Sequence, residues 1–467
     1  MINGIYERWA QRLRQQRDRP AYLLIADMIA DGVNSGELQA RERLPPLRDL
    51  AIVLGLNYTT VTRSYAEAKK RGLIDSRPGM GSFVRGKVPL IPLNGGSSYE
   101  MTMNSPIEPD APDITEAIRQ GVLNLFTQKD IYPLLRYQDF GGGNVDKEAA
   151  VLWLRKRLHK LSMDEVLVCP GIHSALVGLM TLLGRRGGTI CVSNLIYPGL
   201  KAIAGQLSVP LYALECDGDG PLPRAFENQC QQGNIGALYV NPTLQNPTTL
   251  TMPLRRRESL AEIALRYSIP IIEDDAYALL PEHQLPTFTE LAPELTWYLT
   301  GLSKCFGAGL RIAYIKGPGK RATQLLAGAL RALTVMSSPV TNALATQWVL
   351  DGTADHVLLA IRQEARIRQQ MVTHHLHRFI FKAHPDGFHL WLHLPRDYQW
   401  NPSDIAVKLR EQGVSAVSSA AFCTDNNPPD ALRLCLGGAN TRQILEEHLT
   451  IIADMFEYPE HFSSVVL

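Results

Sequence analysis

Residues 86–99, GKVPLIPLNGGSSY, hold too much proline, glycine and serine to continue a helix or a central strand. They read as a linker, and the periodicity differs on its two sides. Before it, Tyr22, Ala26, Ile29 and Val33 recur at helical spacing, with Gly36 placed to close the helix. Leu47, Leu50 and Leu54 share one face of a second helix that ends at Gly55, and Val61, Tyr65 and Ala68 line a third that ends near Gly72. Short β-like runs, Leu73-Ile74 and 82–84, flank Arg77-Pro78-Gly79-Met80-Gly81. Beyond residue 100, helical stretches at 148–160, 172–183 and 253–267 alternate with apolar runs at 237–240, 269–272 and 312–315. That alternation is the rhythm of an α/β domain with a largely parallel sheet. The expected organisation is a small helical domain with a hairpin at 1–85, a linker at 86–99 and an α/β domain at 100–467.

Charge is divided as unevenly. Residues 1–87 hold 15 Lys and Arg against 9 Asp and Glu, a net of +6, and the remainder holds 32 against 37, a net of −5. A basic first part on a mildly acidic body suits a small domain that meets a polyanion. The seven cysteines include no Cys-x-x-Cys pair, which fits reduced, buried thiols better than disulfides or a metal site, and no metal is expected. The N-terminal stretch MINGIYERWAQRLRQQRDRP is amphipathic and Arg-rich without the apolar centre of a signal peptide. No segment approaches the ~18 uncharged apolar residues of a membrane span. A cytoplasmic protein without membrane contact is expected.

Helix, short turn, helix and hairpin in this order make a helix-turn-helix with a wing. With Val61 turned inward, Asn57, Tyr58, Thr59, Thr60, Thr62 and Arg63 are left to meet bases or phosphates of double-stranded DNA. Arg48 can anchor a phosphate, and Arg77 with Gly79 and Gly81 allows close approach of the wing to the duplex. Four segments, SGEL at 35–38, RLPPLRDLA at 43–51, LGLNYTTVTRSY at 54–65 and GLIDSRPGMGSFV at 72–84, resemble the GntR-family winged helix. One departure bears on sequence preference: Tyr58 stands where related domains often place a basic residue.

The larger part carries a second resemblance. TGLSKCFGAGLR at 300–311, IIEDDAY at 271–277, QNPT at 245–248, PGIHSAL at 170–176 and NLIYPG at 194–199 resemble, in order, segments of fold-type I aminotransferases. The resemblance implies pyridoxal 5′-phosphate as cofactor, with Lys304 as the catalytic lysine that takes the aldehyde as a Schiff base. It implies Asp274 opposite the pyridine nitrogen, and Tyr277 and Asn246 as donors to the phenolic oxygen. Ser303, Arg311 and the backbone N–H groups of Ile172 and His173 would hold the phosphate, and Tyr197 would stack on the ring. Tyr137, just before Gly141–Gly143, stands where the family reaches across a homodimer. Arg433, in LRLCL at 432–436, matches the arginine that grips a substrate's α-carboxylate. Gly301 replaces a Ser or Thr that would add a phosphate donor, Thr249 replaces a glycine, and His173 a common glutamine.

Winged helix, linker and aminotransferase-like domain together resemble the MocR subfamily of transcription regulators. The implied fold is multidomain, an all-α winged-helix domain plus an α/β fold-type I transferase-like domain. The implied function is a homodimeric regulator that binds DNA and senses the cofactor or a small amino-compound effector. An active aminotransferase with an appended DNA-binding domain stays open because Lys304, Asp274 and Arg433 are all present; a cofactor-free regulator would require an empty pocket.

Overall fold

In the computed structural model, residues 4–15, 19–39, 41–77, 81–85, 102–128, 130–184, 187–395 and 401–458 are described. The chain divides into two units, Met1–Ser98 and Tyr99–Leu467. The expected linker and Gly79 lie outside the described residues.

The first unit contains α1 (Gly4–Gln15), α2 (Ala21–Ser35), α3 (Leu47–Leu54), α4 (Tyr58–Lys70), β1 (Ile74–Arg77) and β2 (Gly81–Val84). Gly36 and Gly55 close α2 and α3 at φ 78° and 62°, left-handed values that a residue without Cβ adopts at least cost. The strands pair antiparallel, Ile74 opposite Val84. The sequence pattern read above starts at Tyr22 and does not include α1. That helix turns Ile5, Tyr6, Trp9 and Ala10 into the same core as Leu50, Leu54 and Val61. Its arginines mask the apolar stripe in composition, but not in periodicity.

The second unit is built on a seven-stranded sheet. Its strands are β3 (Val166–Cys169), β4 (Thr189–Val192), β5 (Leu211–Ala213), β8 (Ile235–Val240), β9 (Ile271–Asp274), β10 (Thr296–Gly301) and β11 (Ala313–Lys316); a small hairpin, β6 (Cys216–Asp217) and β7 (Gly220–Pro221), intervenes. The order is β3-β11-β10-β9-β8-β4-β5, parallel except that β11 runs against both its neighbours. Strands β3, β9, β10 and β11 are buried along their whole length, as expected of a sheet covered on both faces. One face packs on Ala175, Leu176, Leu179 and Met180 of the helix Ile172–Leu183. On the other, Tyr298 of β10 and Tyr314 of β11 share a core with Trp153 and Trp348.

A four-stranded antiparallel sheet follows: β12 (Phe381–Ala383), β13 (His389–His393), β14 (Ala416–Ser418) and β15 (Ala431–Cys435), in the order β12-β13-β15-β14. The helix expected at 148–160 is Asn144–Leu154, shorter at its C-terminal end; those at 172–183 and 253–267 agree to within one residue. Among the described residues, no helix is long and apolar enough to cross a membrane.

Candidate functional site

A parallel strand delivers its last side chains to one edge of the sheet, so loops after several strands meet there. At that edge lies a cavity of about 490 Å³, lined from the ends of β9 and β10 and from loops after β3, β4 and β8. Along Glu273-Asp274-Asp275 the side chains alternate sides, as in any strand. Glu273 turns away and accepts from the N–H groups of Phe288 (2.9 Å) and Thr289 (3.0 Å). Asp275 also turns away, to Arg157 at 3.3 Å and the Tyr298 hydroxyl at 3.0 Å. Asp274 alone of the three lines the cavity. Its Oδ2 accepts from the Tyr239 hydroxyl at 2.8 Å, while Oδ1 is buried without a partner among the described residues. Burial raises its pKa from 3.8 to about 6, against the lowering effect of the Tyr239 bond.

Lys304 lies on the turn after β10 and is half-buried. Desolvation lowers its pKa from 10.5 to about 8. Its Nζ donates to the carbonyl of Asn104, and Asn104 Nδ2 donates to the Tyr277 hydroxyl at 2.8 Å. Gly301, three residues before the lysine, is dictated by packing. A Cβ there would stand 2.9 Å from the Ile312 carbonyl and 3.3 Å from the Ala313 Cα. The backbone at Ile312 and Ala313 fills the space that a side chain at this position would need.

The opposite end of the cavity can hold an anion. The helix Ile172–Leu183 begins after Gly171 with no side-chain cap, so its first N–H groups, including those of Ile172 and His173, face the cavity without intrahelical partners. Arg311 and Ser303 line the same region. Arg311 holds the left-handed φ of 52°, uncommon for a side chain of this size, and its guanidinium lies where a Cβ on Gly171 would be only 2.6 Å away. Tyr197 also lines the cavity, and its ring fills the space that a Cβ on Gly199 would need.

Asn246 completes this wall, its Oδ1 buried without a partner among the described residues. Thr249 takes the left-handed conformation that glycine would have supplied, φ 61°, and donates its N–H to the Gln245 carbonyl at 2.7 Å. The turn therefore persists despite the bulkier residue. Arg433, on β15, is 1% exposed and reaches the cavity, its Nη2 donating to the Thr102 carbonyl at 2.7 Å while Nε has no partner among the described residues. The cavity thus gathers Lys304, Asp274, Tyr277, Asn246, Tyr197, Ile172, His173, Ser303, Arg311 and Arg433. It does not gather Tyr137, which is 86% exposed.

Three polar neighbours are absent from the sequence-based set. Tyr239 orients Asp274, and Asn241 donates to the Asp274 carbonyl at 2.5 Å while accepting from the Asn246 N–H at 2.9 Å. Both stand at the end of the apolar run 237–240, where a buried polar group is a detectable anomaly. The third, Asn104, lies 200 positions from Lys304 and leaves no local trace.

On the first unit, Asn57, Tyr58, Thr59, Thr62, Arg63 and Arg48 are exposed, and Thr60 is half-buried. Two of these are less available than expected. The Arg63 guanidinium lies 4.5 Å over the Tyr22 ring, and the Thr62 hydroxyl bonds back to the Tyr58 carbonyl at 2.9 Å. Arg77 belongs to β1, with its side chain outside the described residues. Gly81 is exposed, and Arg43, overlooked in the sequence, lies beside it. Arg43, Lys69, Ser76 and Ser82 line a groove between α4 and the hairpin. The Tyr65 hydroxyl pins α4 to the Pro45 carbonyl at 2.9 Å, which fixes the helix pair for presentation.

Residues 98–452 match the family Aminotransferase class I and II, and residues 21–84 match the gntR family of bacterial regulatory proteins. Over 457 residues the chain is 26% identical to the uncharacterized HTH-type transcriptional regulator YdeF of Bacillus subtilis (strain 168), covering 94% of this chain and 95% of that protein. It is 24% identical over 429 residues to the vitamin B6 salvage pathway transcriptional repressor PtsJ of Salmonella typhimurium, covering 90% and 95%. The crystal structure of LysN, an α-aminoadipate aminotransferase of Thermus thermophilus complexed with N-(5′-phosphopyridoxyl)-L-leucine, shares the fold at a TM-score of 0.68. There the identity is 22%, with 78% of this chain and 92% of that chain covered.

Proposed function

From a chain that belongs to the class I and II aminotransferase family, with a gntR-family domain ahead of it, we propose a DNA-binding transcription regulator. The pairing is that of the MocR subfamily. The larger unit is its sensor, binding pyridoxal phosphate and an amino carboxylate. One observation carries this reading: Lys304, Asp274, an uncapped helix N-terminus with Arg311, and Arg433 converge on one cavity. Its unpartnered atoms fit the cofactor's polar groups. Asp274 Oδ1 suits a protonated ring nitrogen, and beside it the Asn246 side-chain N–H and the Tyr277 hydroxyl would donate to a ring oxygen.

The chemistry supplied by pyridoxal phosphate in such a cavity is reversible bonding of its aldehyde to primary amines. Ile172, His173, Ser303 and Arg311 would hold the phosphate, and Tyr197 would cover the ring. Asp274, once ionised, keeps a proton on the nitrogen it faces. Lys304, brought to about 8, is partly neutral near physiological pH and so carries a nucleophilic lone pair. Arg433 grips the carboxylate of the incoming amino compound. Tyr137 is left to reach a second copy, in keeping with a homodimer.

The test uses full-length protein, DNA from beside its own gene, and N-(5′-phosphopyridoxyl)-L-leucine, which carries phosphate and carboxylate together. The conjugate should change the affinity for DNA. Arg433→Ala should weaken the conjugate by roughly ten- to a hundredfold and pyridoxal phosphate hardly at all, because a charged Arg–carboxylate bond is lost only in the first case. Equal loss for both ligands refutes the carboxylate role. A catalytically active aminotransferase is the second reading, favoured by Lys304, Asp274 and Arg433 meeting in one cavity. Sustained turnover with a keto-acid acceptor would establish it.

A further inference from the structure

The cavity is not lined by the sheet edge alone. Residues 102–105 line it as well, and their main chain engages Arg433, the cation that a carboxylate needs, and Lys304. The Thr102 carbonyl takes Arg433 Nη2 at 2.7 Å, and the Asn104 carbonyl takes Lys304 Nζ. The Asn104 side chain adds a bond to the Tyr277 hydroxyl at 2.8 Å. We propose that residues 102–105 are an internal competitor for the effector site, and that an amino carboxylate reaches Arg433 only by lifting them. This rests on the amino-carboxylate reading above.

Three observations make the segment displaceable rather than a fixed wall. Its grip is incomplete: Arg433 Nε and Asn104 Oδ1 are both buried without partners among the described residues. A guanidinium with five donors gains a second, charged bond when a neutral carbonyl gives way to a carboxylate. The segment is packed at its C-terminal end. Ser105 packs on Gly437, where a Cβ would overlap its carbonyl, and that carbonyl accepts from Cys435 Sγ at 3.4 Å; Ile107 beyond it is 1% exposed. Met103 at the other end is 47% exposed. Finally, Thr102 stands four residues after Ser98, where the first unit ends. Movement of residues 102–104 is thereby movement of the chain that leads to the DNA-binding unit, and effector occupancy acquires a covalent route to it.

Hydrogen exchange of the full-length protein, read by mass spectrometry on the peptide that spans residues 102–106, tests this. Saturating N-(5′-phosphopyridoxyl)-L-leucine should speed exchange of that peptide by about tenfold, the factor expected when one charge-assisted hydrogen bond no longer holds it. Arg433→Ala, with no ligand, should speed it by a similar factor. Conjugate that binds while exchange is unchanged or slowed overturns the competitor proposal and leaves the cavity reading intact. Arg433→Ala exchanging like wild type overturns it equally. Failure of the conjugate to bind at all, measured by calorimetry, overturns the amino-carboxylate reading and the competitor proposal with it.

Discussion

Asp274→Asn separates what the cavity costs from what it binds. The Asp274 carboxyl titrates at about 6 in the folded protein against 3.8 ordinarily, with burial as the main cause. Below pH 3.8 it is protonated in both states and costs nothing. Between 3.8 and 6 the unfolded chain releases a proton that the folded chain keeps, so stability falls as pH rises. Above 6 the full penalty remains, roughly 2 pH units at ~1.36 kcal/mol each, or about 3 kcal/mol. Asparagine cannot ionise and carries none of it. The Tyr239 hydroxyl can still donate to the amide oxygen at the position of Oδ2, and the neutral amide nitrogen takes the place of Oδ1, which has no partner among the described residues.

Cofactor-free Asp274→Asn should therefore be the more stable protein, by about 1.5 kcal/mol at pH 5 and about 3 kcal/mol at pH 7.5. Urea unfolding of the larger unit at the two pH values measures the gap. Pyridoxal phosphate should reverse the ranking at pH 7.5, because it gives the wild-type carboxylate its missing partner; the variant should bind it at least about tenfold more weakly. A gap that does not widen with pH, or a variant less stable than wild type at pH 7.5, refutes the assignment of the raised pKa to Asp274.

Further outcomes follow from single contacts. Gly171→Ala should weaken pyridoxal phosphate by about tenfold or more in a spectral titration, since its Cβ would come within 2.6 Å of the Arg311 guanidinium at a φ of 88°. Covalent capture of the cofactor by Lys304, trapped with borohydride and located by mass spectrometry, should rise with pH up to about 8 and then level off. An ordinary lysine would keep gaining to beyond about pH 10. Arg48→Ala should weaken binding to every DNA sequence and reduce the salt dependence by about one counterion, whereas Thr59→Ala should change which sequence is preferred. Equal losses on specific and random duplex for the Thr59 variant would exclude base reading.

The parts of the site legible in the sequence are those that sit in continuous segments. Lys304, Asp274, Asn246 and the helix start at Ile172 each follow an apolar run that becomes a strand, so the strand ends can be placed and the loops beyond them brought together. Alternation even separates Asp274 from its acidic neighbours, because residues 273 and 275 turn to the opposite side. What is not legible depends on tertiary distance. Nothing near Asn104 indicates that it reaches Lys304, 200 positions away. Gly301 is opaque for the same reason: a missing phosphate donor is visible in the sequence, but the Ile312 carbonyl that excludes it is not. Helix α1 is a different case, since its stripe of Ile5, Tyr6 and Trp9 is present in the sequence but sits among dense arginines that dominate its composition.

Unpartnered polar atoms in a buried cavity cost free energy, and a ligand that satisfies them recovers it. Here they fall into two groups with different chemistry. Asp274 Oδ1 and Asn246 Oδ1 are acceptors without a donor among the described residues; Arg433 Nε is a donor without an acceptor among them, best satisfied by an anion. A cofactor that satisfied the first group would leave Arg433 on the Thr102 carbonyl. An amino carboxylate would replace that carbonyl with a charged, two-oxygen partner. The two inputs are thus energetically distinct within one cavity: the first meets the segment at Asn104 through Lys304, and the second would take Arg433 from the Thr102 carbonyl. A transaminase would have to break and remake the Arg433–Thr102 contact in every cycle. A regulator needs it only at equilibrium, where the differential affinity of the effector for the two positions of the segment sets the shift.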